Sequence, residues 1–390
     1  MTDVGRELVL RALRSSNREI ESLVREHPQI LQEAGELWAN GFAASDIEPS
    51  AARFLVDRGA PLSIHAAAGF GFGDQVASLL RDDPSLVHAK GGDGCTPLHF
   101  ARDVETATRL VERGAEIDAR DDDHDSTPAQ WRIGKAPAVS RYLLQIGAKP
   151  DIFLAAALGD RDLASRLISE DPGCVAQRIG RMPAFPPIGH LGRGGTILQW
   201  TLAFNSYPHQ VALMKGHQGL FDLLYENSDT QVRLLVSCVL ARRAEAEELV
   251  RQHPGIVASL PSADLELLPR YCWETNINLE AVRLMLDVGF PITQTERSHG
   301  YSALHNAAWA GDAALVDLLL SRGHPVDLKD PTCDATPLGW ALHDCLVEKR
   351  HPEGDFVRVV ESLLKAGSPL DRNTLPTGNA GIDEVLGKIR

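Results

Sequence analysis

The sequence predicts an all-α chain, a solenoid of about eleven helix pairs carrying short extended fingers. Three observations carry this. The first is the stretch His299–Asp330. A Gly turn leads into Ser302-Ala303-Leu304-His305, Ala307 and Ala308 keep the helix thin, and Gly311-Asp312 break it. A second helix then places Leu315, Val316, Leu318, Leu319 and Leu320 on one face at helical spacing, and Gly323 closes it where a left-handed residue is cheapest. The second is recurrence. Thr336-Pro337-Leu338 restarts the pattern 34 residues after Ser302, Thr96 and Thr127 each open a Thr-Pro start, and the closing glycines Gly114 and Gly147 lie 33 apart. The third is composition: 44% hydrophobic residues with only 6% aromatics suit thin Ala/Leu layers. A helix pair of this size cannot bury its apolar face alone, so copies must stack.

A period near 33 with a TPLHxA start resembles the ankyrin-repeat family, and here the bacterial type with a long array and a central insertion. The residues that carry the resemblance are TPLHFA (96–101), SALHNAA (302–308), LVERGAEIDARD (110–121) and LLLSRGHPVDLKD (318–330). The resemblance implies a concave groove formed by first helices and fingers, used for protein recognition. It implies no reaction, because the scaffold is shared by proteins with unrelated roles.

The formal charge of −14 argues against binding nucleic acid by backbone neutralisation. No run of 18 apolar residues occurs, so no membrane span is expected. Six cysteines without a CxxC pair read as small core residues of a reduced compartment, and the amphipathic, acid-interrupted N-terminus does not read as a signal peptide. The expected location is cytoplasmic.

In chain order, residues 1–62 are expected to form N-terminal capping helix pairs and 63–178 regular repeats. Within the latter, Gly-Phe-Gly-Phe-Gly (69–73) is expected to lengthen one inter-helix turn. The acidic finger around Asp118, Asp121, Asp122, Asp123 and Asp125 lacks the Gly and closing Glu of a calcium loop and reads as a solvated tip. Residues 179–195 hold three prolines and five glycines and are expected to be an insertion. Degenerate repeats follow over 196–293, resuming at Thr196-Ile197-Leu198-Gln199-Trp200. Clear repeats return over 294–371, with a second insertion at Lys349–Phe356, and 372–390 form a C-terminal cap.

No metalloprotease, zinc-finger, nucleophile-elbow or nucleotide-binding motif is found, so catalytic residues stay unassigned and neither cofactor nor metal is expected. His99 and His305 belong to the TPLH pattern, where the resemblance implies a hydrogen bond to backbone. Trp131, Trp200 and Trp340 follow the four TPLH-like residues in register and are expected in the core. Trp309 occupies a position that the resemblance makes variable and concave, and is expected to anchor a partner. From Pro172 to Phe221 there is no Asp or Glu, while Arg178, Arg181, Arg193 and Lys215 supply four positive charges. With His190 between glycine turns, this window suggests that Arg178, Arg181, His190 and Arg193 line an anion-accepting pocket. Two functions follow. The first is recognition of a protein partner through the groove. The alternative is an enzyme or small-molecule binder whose pocket for an anionic ligand is built around 179–195.

Overall fold

The computed structural model describes residues 3–273, 277–297, 299–370 and 377–388. Among them the chain is helical, and pairing between extended residues is confined to the isolated bridges Arg181–Phe185 and Thr295–Ser302. Part of the expected C-terminal cap (372–376 and 389–390) and residue 371 of the last repeat segment lie outside the described residues. The described remainder of the cap includes helix Ala380–Lys388. Contacts divide the chain into two compact units, Met1–Asn227 and Ser228–Arg390.

In the first unit, the first helices Ile64–Phe70, Pro97–Phe100 and Pro128–Arg132 lie side by side, and their second helices Gly73–Asp82, Val104–Glu112 and Pro137–Gln145 form a parallel row. Local chemistry starts and stops each one. Thr127 Oγ1 accepts from the Gln130 amide while Gln130 Oε1 accepts from the Thr127 amide at 3.0 Å, a reciprocal cap that satisfies two otherwise orphaned donors. At the far end Gly114 sits at φ +90°, letting Ala115 N–H donate back to Leu110 O at 3.0 Å. Leu98, Leu110 and Leu143 are fully buried between layers. The expected long turn at 69–73 is not formed. Helix Ile64–Phe70 runs through Gly69, left-handed Gly71 turns the chain, and Phe70 and Phe72 stack at 5.1 Å in the core.

The pattern after the insertion also differs from expectation. Leu198–Thr201 is a single turn, packed on Pro128–Arg132, and the next hairpin opens at Pro208 with helices Pro208–Met214 and Gln218–Glu226. Its cap has the same logic as Thr127–Gln130: Gln210 Oε1 accepts from the Tyr207 amide at 3.0 Å and Pro208 takes the first helical position. Trp200 therefore does not hold the core position predicted for it, and is 58% exposed.

In the second unit, Ala303–Trp309 and Pro337–His343 pack together, as do Ala313–Ser321 and Phe356–Lys365. The second insertion follows a π turn, Asp344–Glu348. Fully buried Asp344 accepts from the amides of Arg350 and His351 at 3.2 Å each, and the loop closes on the Gly311 turn, where Asp355 N–H donates to Gly311 O at 3.0 Å.

Candidate functional site

The acidic finger is the anchor of the site: Asp122 and Asp125 are exposed, as a solvated tip would have them, but its root is not. Asp121 is 2% exposed. Its Oδ1 accepts from the amides of Asp123 (3.1 Å) and His124, and its Oδ2 accepts from the Ser126 amide and the Trp131 indole, both at 2.9 Å. A buried carboxylate is tolerated when donors surround it, and four donors here shape the turn. His99 supports the finger from below. Its Nδ1 accepts from the Thr96 amide at 3.0 Å, which leaves Nε2–H to donate to Ser126 O at 3.2 Å. Burial lowers its pKa to about 4, so the ring is neutral at pH 7. His305 repeats the arrangement, its Nε2 donating to Ala335 O at 3.2 Å. Both histidines are structural.

The insertion lies on this finger. Gly194 N–H donates to Asp123 Oδ1 (3.0 Å), His124 Nδ1–H to Gly195 O (2.8 Å), and Ile197 N–H to Ser126 Oγ (3.1 Å). All three pairs are 71 residues apart, so the segment runs in register along the finger. Close approach requires glycine: a Cβ at Gly194 would lie 2.4 Å from Asp123 Oδ2 and 2.6 Å from His124 Cε1. Behind this contact Phe185 is buried edge-on against Phe153 at 4.8 Å, and Thr196 N–H donates to Pro186 O at 2.9 Å, so the loop is packed at its root as well as at its tip.

The four predicted anion ligands do not share one lining. Arg178 and Arg181 face one cleft with Gly173 and Gln177, while His190 and Arg193 face another, of about 180 Å³, with Asp123, Asp125 and Arg120. The turn Met182–Ala184 is the wall between them, which is why four residues close in sequence are parted. Arg178 is 3% exposed with its guanidinium 5.9 Å from the Tyr207 ring centre. The second cleft carries both signs of charge, since Arg120 donates to Asp125 O and lies 3.9 Å from its carboxylate.

Trp309 is half-buried in the second unit. Its ring meets Trp340 at 5.5 Å, stacks on His343 at 6.0 Å and approaches His351 at 6.2 Å. Trp340 is buried as predicted, its indole donating to Asp330 at 3.0 Å, and Trp131 is half-buried against Phe42 at 6.0 Å. Of the cysteines, Cys95, Cys174, Cys238 and Cys272 are buried as expected, but Cys333 is exposed and Cys345 half-buried.

Two features escaped the sequence reading. One is an apolar surface: Met182, Ile188, Leu191, Trp200 and Met214 are each 48–80% exposed, and all fall in the acid-free window. Exposure is unreadable from a loop's composition, although the three prolines did mark where packing would be irregular. The other is Arg132, 4% exposed, whose pKa is pulled to about 10 by burial and then by Arg102. Only its place at the end of a short helix, thirty residues after Arg102, could have flagged it.

No helix is long and apolar enough to cross a membrane, among the described residues. No match to a curated protein is found. The family model described as Ankyrin repeat matches residues 93–122 and 299–331, the two segments that end in the Asp121 finger and the Asp330 finger. Repeats of this kind generally mediate protein–protein interaction, and this chain is an ankyrin-repeat protein.

Proposed function

We propose that the chain is a protein-recognition module, an array of about eleven helix pairs that binds its partner through the concave groove and the insertion beside it. In this reading 1–62 and 372–390 are caps, 63–178 and 294–371 are regular repeats, 196–293 are degenerate ones, and 179–195 adds a wall to the groove. The observation that carries it is the concentration of exposed apolar side chains, Met182, Ile188, Leu191, Trp200 and Met214, in a stretch of 50 residues without a carboxylate. Large apolar side chains left exposed together in one segment of a folded protein are candidates for a contact site. Arg193 and Lys215 within the same window select a partner segment that combines carboxylates with aromatic or aliphatic anchors. Trp309, with His343 stacked on it, is a second anchor in the other unit.

The alternative, a pocket for a small anion, receives less support: the cleft lined by His190 and Arg193 is also lined by Asp123 and Asp125, and in the cleft of Arg178 and Arg181 the Arg178 side chain is buried against Tyr207. The test is affinity capture with intact protein and with the Met182→Ser, Leu191→Ser, Trp200→Ala triple variant, followed by calorimetry on any captured protein. The proposal expects a partner that binds the variant at least tenfold more weakly, about 1.4 kcal/mol, with an unchanged circular dichroism spectrum. A partner held equally by both proteins contradicts the role of this surface. A metabolite retained in place of a protein favours the pocket.

A further inference from the structure

Asp93, Asp123 and His124 bring three ligand atoms within 4.8 Å of one another at the junction of finger and insertion. The orientation of the His124 ring follows from its neighbours. A backbone carbonyl can only accept, so the 2.8 Å contact with Gly195 O places a proton on Nδ1. In the neutral ring Nε2 is then a lone pair, and it points at Asp93 Oδ2 (3.5 Å) and Asp123 Oδ2 (3.6 Å). Three electron-rich atoms thus converge around a side chain that is 92% buried, since His124 is only 8% exposed.

The two Nε2–oxygen separations, 3.5 and 3.6 Å, are close to the edge of a tetrahedral metal site, about 3.3 Å for bonds of 2.0–2.1 Å. The outer contacts are also those of a metal site: the ring's second nitrogen donates to a carbonyl, and the remaining Asp123 oxygen accepts from the Gly194 amide at 3.0 Å, which orients both ligands.

We infer that Asp93, Asp123 and His124 form a binding site for a divalent transition-metal ion, of the zinc or manganese class, that fastens the 179–195 insertion to the finger. Two carboxylates and the ion's double charge cancel. Three protein ligands leave a coordination position for water or a partner's donor. One nitrogen and two oxygen donors favour such an ion over calcium, which takes six to eight oxygens. This inference stands apart from the partner surface, and either can fail alone.

The test uses full-length protein stripped with EDTA and titrated calorimetrically with ZnCl₂, MnCl₂ and CaCl₂. Wild-type protein should bind one zinc ion that Asp93→Asn and His124→Gln lose or bind at least tenfold more weakly. Zinc should also slow tryptic cleavage after Arg193 in wild type and not in the variants. Should His124→Gln fail to fold, Asp93→Asn carries the test, because Asp93 is an exposed side chain. Equal zinc stoichiometry and affinity in wild type and Asp93→Asn, calcium binding as tight as zinc, or cleavage indifferent to zinc would each overturn the inference.

Discussion

The two fingers, Asp121–Trp131 in the first unit and Asp330–Trp340 in the second, are built alike and used differently. In each, one buried Asp accepts from the amides two, three and five residues on, and from the indole of a Trp ten residues on. A basic residue just before the Asp pairs with an Asp held at positive φ, Arg120 with Asp125 and Lys329 with Asp334. The difference lies at the third residue after the Asp. His124 is buried and receives the insertion, whereas Cys333 is exposed. The finger is a shared structural device, and the two copies differ in what is laid over them.

The strongest way to break this comparison is to remove the shared carboxylate. Asp121→Ala and Asp330→Ala each orphan four donors, and each should cost on the order of 4–6 kcal/mol in urea denaturation. A cost below about 1 kcal/mol for either one would show that the two fingers are not held the same way.

Acid should act on both units through buried imidazoles. Burial lowers His99 and His209 in the first unit and His324 in the second to about 4, against an ordinary value near 6.5. The unfolded chain takes up protons that these folded groups refuse, so stability is full above pH 6.5 and falls as pH drops toward 4. Each such histidine contributes up to about 3 kcal/mol of that loss. Chemical denaturation at pH 7, 5.5 and 4.5 measures it. His99→Gln should flatten the profile, since Gln130 already performs the capping task of that position. An unchanged slope would mean that His99 is protonated in the folded protein.

A smaller effect sharpens the comparison. Trp131→Phe and Trp340→Phe delete one indole donor to a buried carboxylate and should cost about 1–3 kcal/mol each. Trp131 also meets the His124 ring at 5.4 Å, so its replacement alone should loosen the insertion. Proteolysis of the 182–194 segment in the two variants separates these cases. Equal cleavage would disconnect Trp131 from the insertion.

What the sequence made legible follows from how local each signal is. Thr-Pro starts, glycine ends and leucine spacing act within one helix pair, so the repeats matched at 93–122 and 299–331 could be read directly. The hairpin at Pro208 was hidden because Tyr207 stands where Thr usually caps, although Pro208 and Gln210 keep the offsets of Pro128 and Gln130. Reading Trp200 as core followed from that slip. The finger seemed solvated because five aspartates suggest water, yet backbone donors satisfy Asp121 and they have no signature in side-chain chemistry. The splitting of Arg178, Arg181, His190 and Arg193 between two clefts depends on the turn at Met182–Ala184, a property of the folded loop that residue spacing does not encode.

The insertion is a docked element of the first unit rather than a loose connection. Residue-resolved amide hydrogen exchange at Gly194 and Ile197 tests it most directly, because these two donate to Asp123 and Ser126 across the contact. Protection comparable to that of the Ser126 amide inside the finger, lost at Gly194 in Asp123→Ala, is the predicted result. Exchange at the unprotected rate at both positions in the wild-type protein would contradict it.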